Sequence, residues 1–318
     1  MNGSITDVPG VEVGQAEDLK ALTGCTVVRV PDGAVAGVDV RGAAPGTRET
    51  DLLHPMNLVG EVHAVCLAGG SAFGLDAASG VMQALEEEKQ GFDVGVGVVP
   101  IVPAAVLFDL TVGSADVRPD QAMGYQAAKR ATDQPVQEGN VGAGCGATVG
   151  KFSGMKFAMK SGLGSASRRL KNGVIVGAVV AVNAVGEVRD PHTGKRLAGA
   201  RDGQGGFLDY FERMEKTDPR NQAFQTNTTL AVVANNAKLT KAEANKAAQM
   251  AHDGLARTIV PIHTMNDGDT VFSLATGQRE ASVDVIGALS AEVLAEAVVR
   301  AVKSAQSVNG FPASSEYK

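Results

Sequence analysis

Short runs of β-branched residues, separated by glycine, dominate the first third of the chain. Their length and composition predict strands at residues 25–30, 34–40 and 62–67. A glycine-rich turn at 69–74 then leads into a helical pattern, with apolar residues three and four positions apart: Leu75, Ala78, Val81, Met82 and Leu85. The pattern therefore predicts a sheet followed by an amphipathic helix.

The middle of the chain is less regular. A helical pattern covers residues 120–131, and the valine- and alanine-rich segment 174–185 is the best candidate for a buried strand. The segment 190–227 is polar with weak periodicity. It predicts an exposed excursion in which a chain break would be tolerated.

Regular structure returns with a strand predicted at 230–234 and a helix that begins at the capping box formed by Thr240 and Glu243. We expect His252 on the polar face of this helix. A strand at 270–274 precedes a largely apolar helix at 285–304, which is either buried or a subunit contact. Mixed elements without strict βαβ alternation or a repeat favour a layered α/β or α+β fold.

Composition narrows the functional class. With 44% hydrophobic and 20% charged residues, the 318-residue chain can bury a sizeable core. A formal charge of -6 argues against nucleic acid or an anionic membrane as a partner. Cys25, Cys66 and Cys145 lack CxxC spacing, so we expect reduced core thiols. Neither an export signal nor a membrane span is recognisable, which predicts a cytoplasmic protein.

Several familiar site motifs are incomplete in this chain. Gly150 and Lys151 lack the rest of a phosphate loop, and residues 142–147 match G-x-G-x-x-A without the helix that a dinucleotide site needs. Residues 266–269 look like part of a calcium loop without its first ligands, and the five histidines lack metal-ligand spacing. No G-x-S-x-G elbow is present. We therefore expect neither a metal nor an organic cofactor.

The junction between Asn227 and Thr228 ends the polar segment and begins a strand. An ordinary strand start explains it on composition alone, because Thr favours strands and Asn favours turns. Alternatively, the bond is cut, which leaves Thr228 with a free α-amine beside its own hydroxyl. That amine has an ordinary pKa of about 7.7–8.0, so one residue would supply both base and nucleophile. The same hydroxyl would attack the Asn227 carbonyl in the precursor, giving self-maturation.

Four segments carry a resemblance to a known family, in the family's order and over nearly the whole chain. They are Asp-Val-Pro-Gly-Val-Glu-Val-Gly at 7–14, Cys-Leu-Ala-Gly-Gly-Ser-Ala-Phe-Gly-Leu at 66–75, Asn-Thr-Thr at 227–229 and His-Thr-Met-Asn-Asp-Gly-Asp-Thr at 263–270. They resemble the L-aminopeptidase/D-esterase family of N-terminal nucleophile hydrolases, peptidase family S58. Within that family, the Asn-Thr-Thr junction is most similar to the 6-aminohexanoate-oligomer hydrolases, or nylon hydrolases.

The resemblance implies a single layered domain with a four-layer αββα sandwich, cut into a larger subunit, 1–227, and a smaller one, 228–318. It implies that Thr228 is both nucleophile and base, and that Lys151 lies near the Thr228 amine and lowers its pKa. The amide of Asn183 would serve the oxyanion site. In the same comparison, Asp267 and Asp269 orient the nucleophile or its partners, and Thr229 could support Thr228 through its hydroxyl.

Three of these residues also have ordinary interpretations. Lys151 would be a solvated surface lysine, because lysine is mostly exposed in proteins. Asn183 would be a turn residue at the end of a strand, and Asp267 would belong to an Asp-Gly turn. That turn does not explain Asp269.

Phe73 departs from the nylon hydrolases, which have Tyr at the matching position. The substrate pocket therefore loses any hydrogen bond from the phenol and becomes more apolar. This affects the identity of the substrate and leaves the maturation chemistry unchanged.

Together these observations predict a self-processing amidohydrolase that cleaves linear amides, such as 6-aminohexanoate oligomers or small peptides, through an acyl-enzyme on Thr228. The family implies a homo-oligomer, a tetramer, of processed heterodimers. One alternative is an aminopeptidase/D-esterase, or an acyltransferase of the ornithine acetyltransferase type, which would pass the acyl group to an amine. A more distant alternative is a non-catalytic binding protein that retains the scaffold.

Overall fold

A computed structural model of the protein describes residues 3–216 and 227–317. The helices in this part of the chain are α1 (Ala77–Glu87), α2 (Gln121–Lys129), α3 (Tyr210–Lys216), α4 (Lys241–Ala256) and α5 (Val283–Lys303). The strands are β1 (Glu12–Asp18), β2 (Thr23–Val40), β3 (Thr47–Arg48), β4 (Val62–Ala68), β5 (Phe92–Asp93), β6 (Val98–Val99), β7 (Ala104–Val106), β8 (Thr148–Val149), β9 (Met159–Lys160), β10 (Leu163–Arg169), β11 (Ile175–Asn183), β12 (Glu187–Arg189), β13 (Arg196–Ala198), β14 (Thr228–Ala237), β15 (Ile259–Val260) and β16 (Thr270–Arg279).

The long strand β2 joins the two halves of the main sheet. Residues 23–29 pair with β1, while residues 35–40 pair with β16. The strand order is β10-β11-β14-β16-β2-β4-β7-β3, with β1 also beside β2. The strands predicted at 25–30 and 34–40 are therefore one strand. The Pro-Asp-Gly sequence between them interrupts the register with β4, and Gly33 has a φ of 80°, so the chain bends without reversing.

The alternation of side chains across the strands creates three apolar layers. Between the two halves of the sheet lie Val28, Leu67, Val179, Leu230 and Phe272. The opposite face of β11 and β14 packs on α4 and α5 through Val180, Val233, Leu255 and Leu294. The outer face of β2 and β4 packs on α1 and α2 through Val27, Cys66, Leu85 and Ala127. This order confirms the predicted four-layer αββα sandwich.

Helices α4 and α5 cover the half of the sheet that contains β14. The predicted capping box at the start of α4 is present: the Thr240 side chain accepts the Glu243 amide, and the Glu243 carboxylate accepts the Thr240 amide at 2.8 Å. Leu294 and Val298 of α5 are fully buried. The apolar surface of α5 is therefore largely used within the chain.

The predicted position of His252 on a polar helix face is wrong. His252 is fully buried, its Nε2 lies 3.0 Å from the carbonyl oxygen of Asp39, and its ring centroid lies 4.8 Å from that of His263. Helix α4 contacts both β2 and α5, so layers cover more of its circumference than the sequence pattern indicates. Burial lowers the pKa of His252 to about 4, which leaves it neutral.

The polar segment 190–227 is an exposed excursion only in part. Strand β13 pairs with β12, and both Ala198 and Ala200 are buried. Arg196 forms ion pairs with Glu187 at 2.9 Å and with Asp209 at 2.6 Å, which accounts for much of the polar composition. Residues 217–226 of this segment lie outside the described residues.

Two predictions about side chains and membranes can be compared directly with the structure. The cysteines at 25, 66 and 145 are free and buried, as predicted. Within residues 3–216 and 227–317, no helix combines the length and apolar character needed to cross a membrane.

Candidate active site

Thr228 is the first residue of β14, which is buried along its whole length. β14 lies between β11 and β16, and the register places Thr228 opposite Asn183 on one side. On the other side, β16 begins at Thr270, directly after Asp269. Because three neighbouring strands end or begin at this edge of the sheet, residues far apart in sequence meet around Thr228.

The Thr228 hydroxyl contacts the peptide bond that precedes it. Its Oγ1 donates to the carbonyl oxygen of Asn227. Asn227 is 1% exposed and Thr228 is 4% exposed, so this contact is shielded from bulk water. The Thr228 hydroxyl and the peptide bond between Asn227 and Thr228 thus lie side by side in the intact chain.

Lys151 and Asn183 form a buried pair beside Thr228. Lys151 Nζ donates to Asn183 Oδ1 at 2.6 Å, and the Thr148 amide donates to the same oxygen at 3.1 Å. Asn183 Nδ2 donates to the Phe108 carbonyl at 2.9 Å. Burial lowers the pKa of Lys151 to about 7, against the opposing charge of Asp267. These contacts exclude the interpretation of Lys151 as a solvated lysine.

The two predicted aspartates make different contacts. Asp269 Oδ1 accepts the Thr229 amide at 2.7 Å, and Oδ2 accepts the His263 amide at 3.1 Å. Asp267 Oδ2 accepts both the amide and the hydroxyl of Thr264, at 2.8 and 2.6 Å. Burial, followed by the charge of Asp269, raises the pKa of Asp267 to about 6. Asp269 therefore holds the start of β14, while Asp267 is held by Thr264 and has a raised pKa.

Thr229 contributes through its backbone. The Thr229 hydroxyl is buried and has no hydrogen-bond partner among the described residues. Its amide binds Asp269 instead. The predicted support of Thr228 by the Thr229 hydroxyl is therefore absent, because odd-numbered residues of β14 point towards the helices, away from the Thr228 side chain.

Phe73 stands apart from this hydrogen-bonded group. The residue is 60% exposed, and the guanidinium carbon of Arg118 lies 3.9 Å from the ring centroid. The turn that carries it is tied to the site through Gly70, whose amide donates to Asp109 at 2.7 Å. A role for Phe73 in the substrate pocket stays a prediction.

Asp109 is a buried carboxyl that the sequence reasoning did not select. It accepts the Gly70 amide on one oxygen and the Thr23 hydroxyl, at 2.8 Å, on the other. Burial raises its pKa, and the charge of Lys151 acts in the opposite direction. A lone acid in the apolar stretch 102–110 was the available signal.

His263 and Lys160 were also missed. His263 Nδ1 lies 2.9 Å from Asp269 Oδ2, which fixes the orientation of that carboxylate. Lys160 is fully buried, and its Nζ donates to the carbonyls of Gly144, Ala147 and Ser161 at 3.1, 3.0 and 2.6 Å. Through these hydrogen bonds, Lys160 holds the backbone of residues 144–147, which precede the Thr148 amide. Neither residue has a sequence spacing that marks such a role.

The charged groups of the site are suited to proton transfer and to stabilising an oxyanion. Asp109 and Asp267, whose pKa values are raised, interact electrostatically with Lys151, whose pKa is lowered, and all three are buried. Among the described residues, no group of three or more His, Cys, Asp or Glu side chains could hold a metal ion.

A family model for peptidase family S58 matches residues 3–315. The chain belongs to peptidase family S58. It is therefore a hydrolase that acts on amide bonds, as the motifs predict.

The similar proteins include some named as aminopeptidases and some named as 6-aminohexanoate-oligomer endohydrolases. An uncharacterised aminopeptidase of Mycobacterium leprae is 44% identical over 97% of this chain and 92% of its own length. An uncharacterised aminopeptidase of Mycobacterium tuberculosis is 45% identical, with coverage of 97% and 96%. A 6-aminohexanoate-oligomer endohydrolase of Kocuria sp. is 35% identical, with coverage of 93% and 85%.

Two solved structures share the fold. A β-aminopeptidase of Burkholderia sp. aligns with a TM-score of 0.71 at 23% identity, covering 98% of this chain and 90% of that chain. The L-aminopeptidase D-Ala-esterase/amidase of Ochrobactrum anthropi, described as a variant of the Ntn hydrolase fold, aligns with a TM-score of 0.74 at 20% identity, covering 98% and 88%. The αββα sandwich is therefore of the Ntn hydrolase type.

Proposed function

We propose that the enzyme matures by cutting its own chain between Asn227 and Thr228, and that the released Thr228 is the nucleophile for amide hydrolysis. The observation that carries this proposal is the buried contact between the Thr228 hydroxyl and the Asn227 carbonyl. A hydroxyl held against the preceding carbonyl is the arrangement that an N-to-O acyl shift requires.

In the matured enzyme, the free α-amine of Thr228 takes the proton of its own hydroxyl. The hydroxyl oxygen then attacks the substrate carbonyl, the amine leaving group departs with a proton, and water hydrolyses the resulting ester. A charged Lys151 would lower the pKa of the amine and keep a larger fraction neutral near pH 7. The second N–H of Asn183 Nδ2, which has no partner among the described residues, would bind the oxyanion.

The substrates proposed are linear amides, namely 6-aminohexanoate oligomers and small peptides. The names of the relatives support both classes. The exposed apolar ring of Phe73 would contact an aliphatic chain and offers no hydroxyl to a polar one. Assembly into homo-oligomers of processed heterodimers and a cytoplasmic location stay predictions.

Two substitutions of matched shape test the nucleophile. Thr228→Val keeps the β-branched shape and lacks the hydroxyl, so we expect a single uncut chain without amidase activity. Thr228→Ser keeps the hydroxyl and lacks the methyl group, so we expect cleavage and activity to persist at a lower rate. Intact-mass analysis measures cleavage. Activity is measured as the hydrolysis of a linear 6-aminohexanoate oligomer and of a short peptide. Two fragments from Thr228→Val, or hydrolysis by it, would contradict the proposal.

A further inference from the structure

The backbone of Asn227 forms hydrogen bonds with the segment that precedes β16. Asn227 and Asp267 form an isolated parallel bridge. In this bridge the Asn227 amide donates to the Asn266 carbonyl at 2.9 Å, and the Gly268 amide donates to the Asn227 carbonyl oxygen at 2.9 Å. Among the described residues, the oxygen of the bond proposed to be cut therefore receives the Gly268 N–H and the Thr228 hydroxyl.

The peptide group that supplies this N–H and the peptide group that follows it are both held by hydrogen bonds. The carbonyl oxygen of the first, which belongs to Asp267, accepts the Ala44 amide at 2.9 Å. The Gly268 carbonyl oxygen in turn accepts the Thr270 hydroxyl at 2.9 Å. A donor whose orientation is set before the reaction loses little free energy to reorganisation when charge develops on its acceptor.

Position 268 requires glycine because its backbone lies very close to the Thr228 hydroxyl. A Cβ built on Gly268 would lie 2.7 Å from Thr228 Oγ1 and 2.7 Å from the Ala44 carbonyl oxygen. Any side chain would push the hydroxyl away from the carbonyl or move the 268 backbone away from Asn227. The absence of a side chain is thus what lets the N–H and the hydroxyl meet at one carbonyl group.

Asn183, the proposed oxyanion donor for substrates, lies on the other side of β14. It belongs to β11, whereas Gly268 precedes β16. The amide and carbonyl of Asn227 both point towards the 266–268 segment, because both take part in the bridge with it. The Asn227 carbonyl oxygen therefore faces the Gly268 amide and faces away from Asn183.

We propose that the backbone N–H of Gly268 stabilises the oxyanion of the self-cleavage reaction. Thr228 Oγ1 forms a bond to the Asn227 carbonyl carbon, and the carbonyl oxygen gains negative charge against the Gly268 N–H. The C–N bond then breaks, the hydroxyl proton ends on the Thr228 amine, and an ester joins residues 227 and 228. Water hydrolyses this ester to the Asn227 carboxylate and the free Thr228 hydroxyl. This step rests on the self-processing proposed above.

The test replaces single backbone N–H groups by ester oxygens in the full-length chain, made by cell-free translation with α-hydroxy acids. Gly268→glycolic acid removes the proposed donor without adding a side chain. Replacing Asn227 by its α-hydroxy acid removes the other hydrogen bond of the same bridge. Ala44→lactic acid removes the bond that fixes the Asp267 carbonyl. The fraction of cleaved chain is followed with time on a denaturing gel and by intact mass.

We expect the Gly268 ester to slow cleavage by about 100- to 1000-fold, the usual effect of removing one oxyanion donor, and each control ester to slow it by less than about 10-fold. Similar rates for all three esters would mean that the bridge only positions the chain, and an unslowed Gly268 ester would also overturn the inference. If the unmodified chain stays intact, self-processing itself fails. If it cleaves and the Gly268 ester cleaves equally fast, only this inference fails.

Discussion

Lys151 and Asp267 carry opposite formal charges in a volume that excludes water. Burial disfavours the charged form of each, so the pKa of the lysine falls to about 7 while that of the carboxyl rises to about 6. The two shifts bring both groups close to neutral pH, where small changes in surroundings alter their protonation. Residues that exchange protons during acyl transfer need such values.

The raised pKa of Asp267 predicts a pH-dependent stability. Between about pH 4 and 6 Asp267 is more protonated in the folded chain than in the unfolded chain, so its own contribution to the free energy of unfolding falls as pH rises through this window. Asp267→Asn abolishes this titration. Its stability relative to the parent should therefore increase by about 2 kcal/mol between pH 4.5 and 7.5. Urea unfolding at both pH values, in uncut chains that also carry Thr228→Val, measures the difference. A constant difference would contradict the shifted pKa.

Close contacts between elements depend on glycine at particular strand positions. β10 lies against α5, and a Cβ built on Gly164 would be 2.1 Å from the Ala297 carbonyl oxygen and 2.4 Å from the Ala301 nitrogen. These neighbours are helix backbone, which cannot rotate away as a side chain can. The helix layer therefore packs this closely on the sheet only with glycine at 164.

Gly164→Ala should consequently lower the free energy of unfolding by about 3 kcal/mol, because the added methyl group forces α5 away from β10. Gly97→Ala is the matched control. It lies between β5 and β6, and a Cβ there would meet nothing within 4 Å, so a change within about 0.5 kcal/mol is expected. Denaturant unfolding of both variants in the uncut Thr228→Val chain measures the effect. Equal effects of the two substitutions would show that the contact with α5 is not the cause.

At the scale of the molecule, the two proposed fragments are interleaved. β14 and β16 belong to residues 228–318, and they lie between β11 and β2 of the larger fragment. Both fragments carry net negative charge, so attraction between opposite net charges does not hold them together. The shared sheet and the apolar layers on both of its faces do so instead.

The cleaved enzyme should therefore stay one particle until the sheet unfolds. We expect both fragments to coelute in size exclusion at low and high salt. The midpoint of unfolding of the cleaved enzyme should rise more steeply with protein concentration than that of the uncut Thr228→Val chain, because its unfolding releases one more chain for each protomer. Circular dichroism at several protein concentrations measures the midpoints. Release of the smaller fragment while the circular dichroism signal stays native would contradict interleaving.

Local pattern was enough to locate most elements and to identify the family. The buried strand predicted at 174–185 is observed at Ile175–Asn183, and the helix with the capping box at Thr240 is observed at Lys241–Ala256. Both signals are local, since they depend on residues within a few positions of one another. The conjunction of four motifs also pointed to family S58, and so to the αββα layers and to amide hydrolysis.

The tertiary structure alone decided which residues meet. Asn183 contacts Lys151 and the carbonyl of Phe108, and the neighbouring Asp109 interacts electrostatically with Lys151, because strand register and loop packing bring together positions that are distant along the chain. Local periodicity shows which face of an element is apolar, but it does not show how many faces other layers cover, and His252 was misplaced for that reason. The sequence therefore determined the elements, the family and Thr228 as the candidate nucleophile. The packing of layers determined the surroundings of Thr228, since burial and the sum of distant charges set the pKa values there.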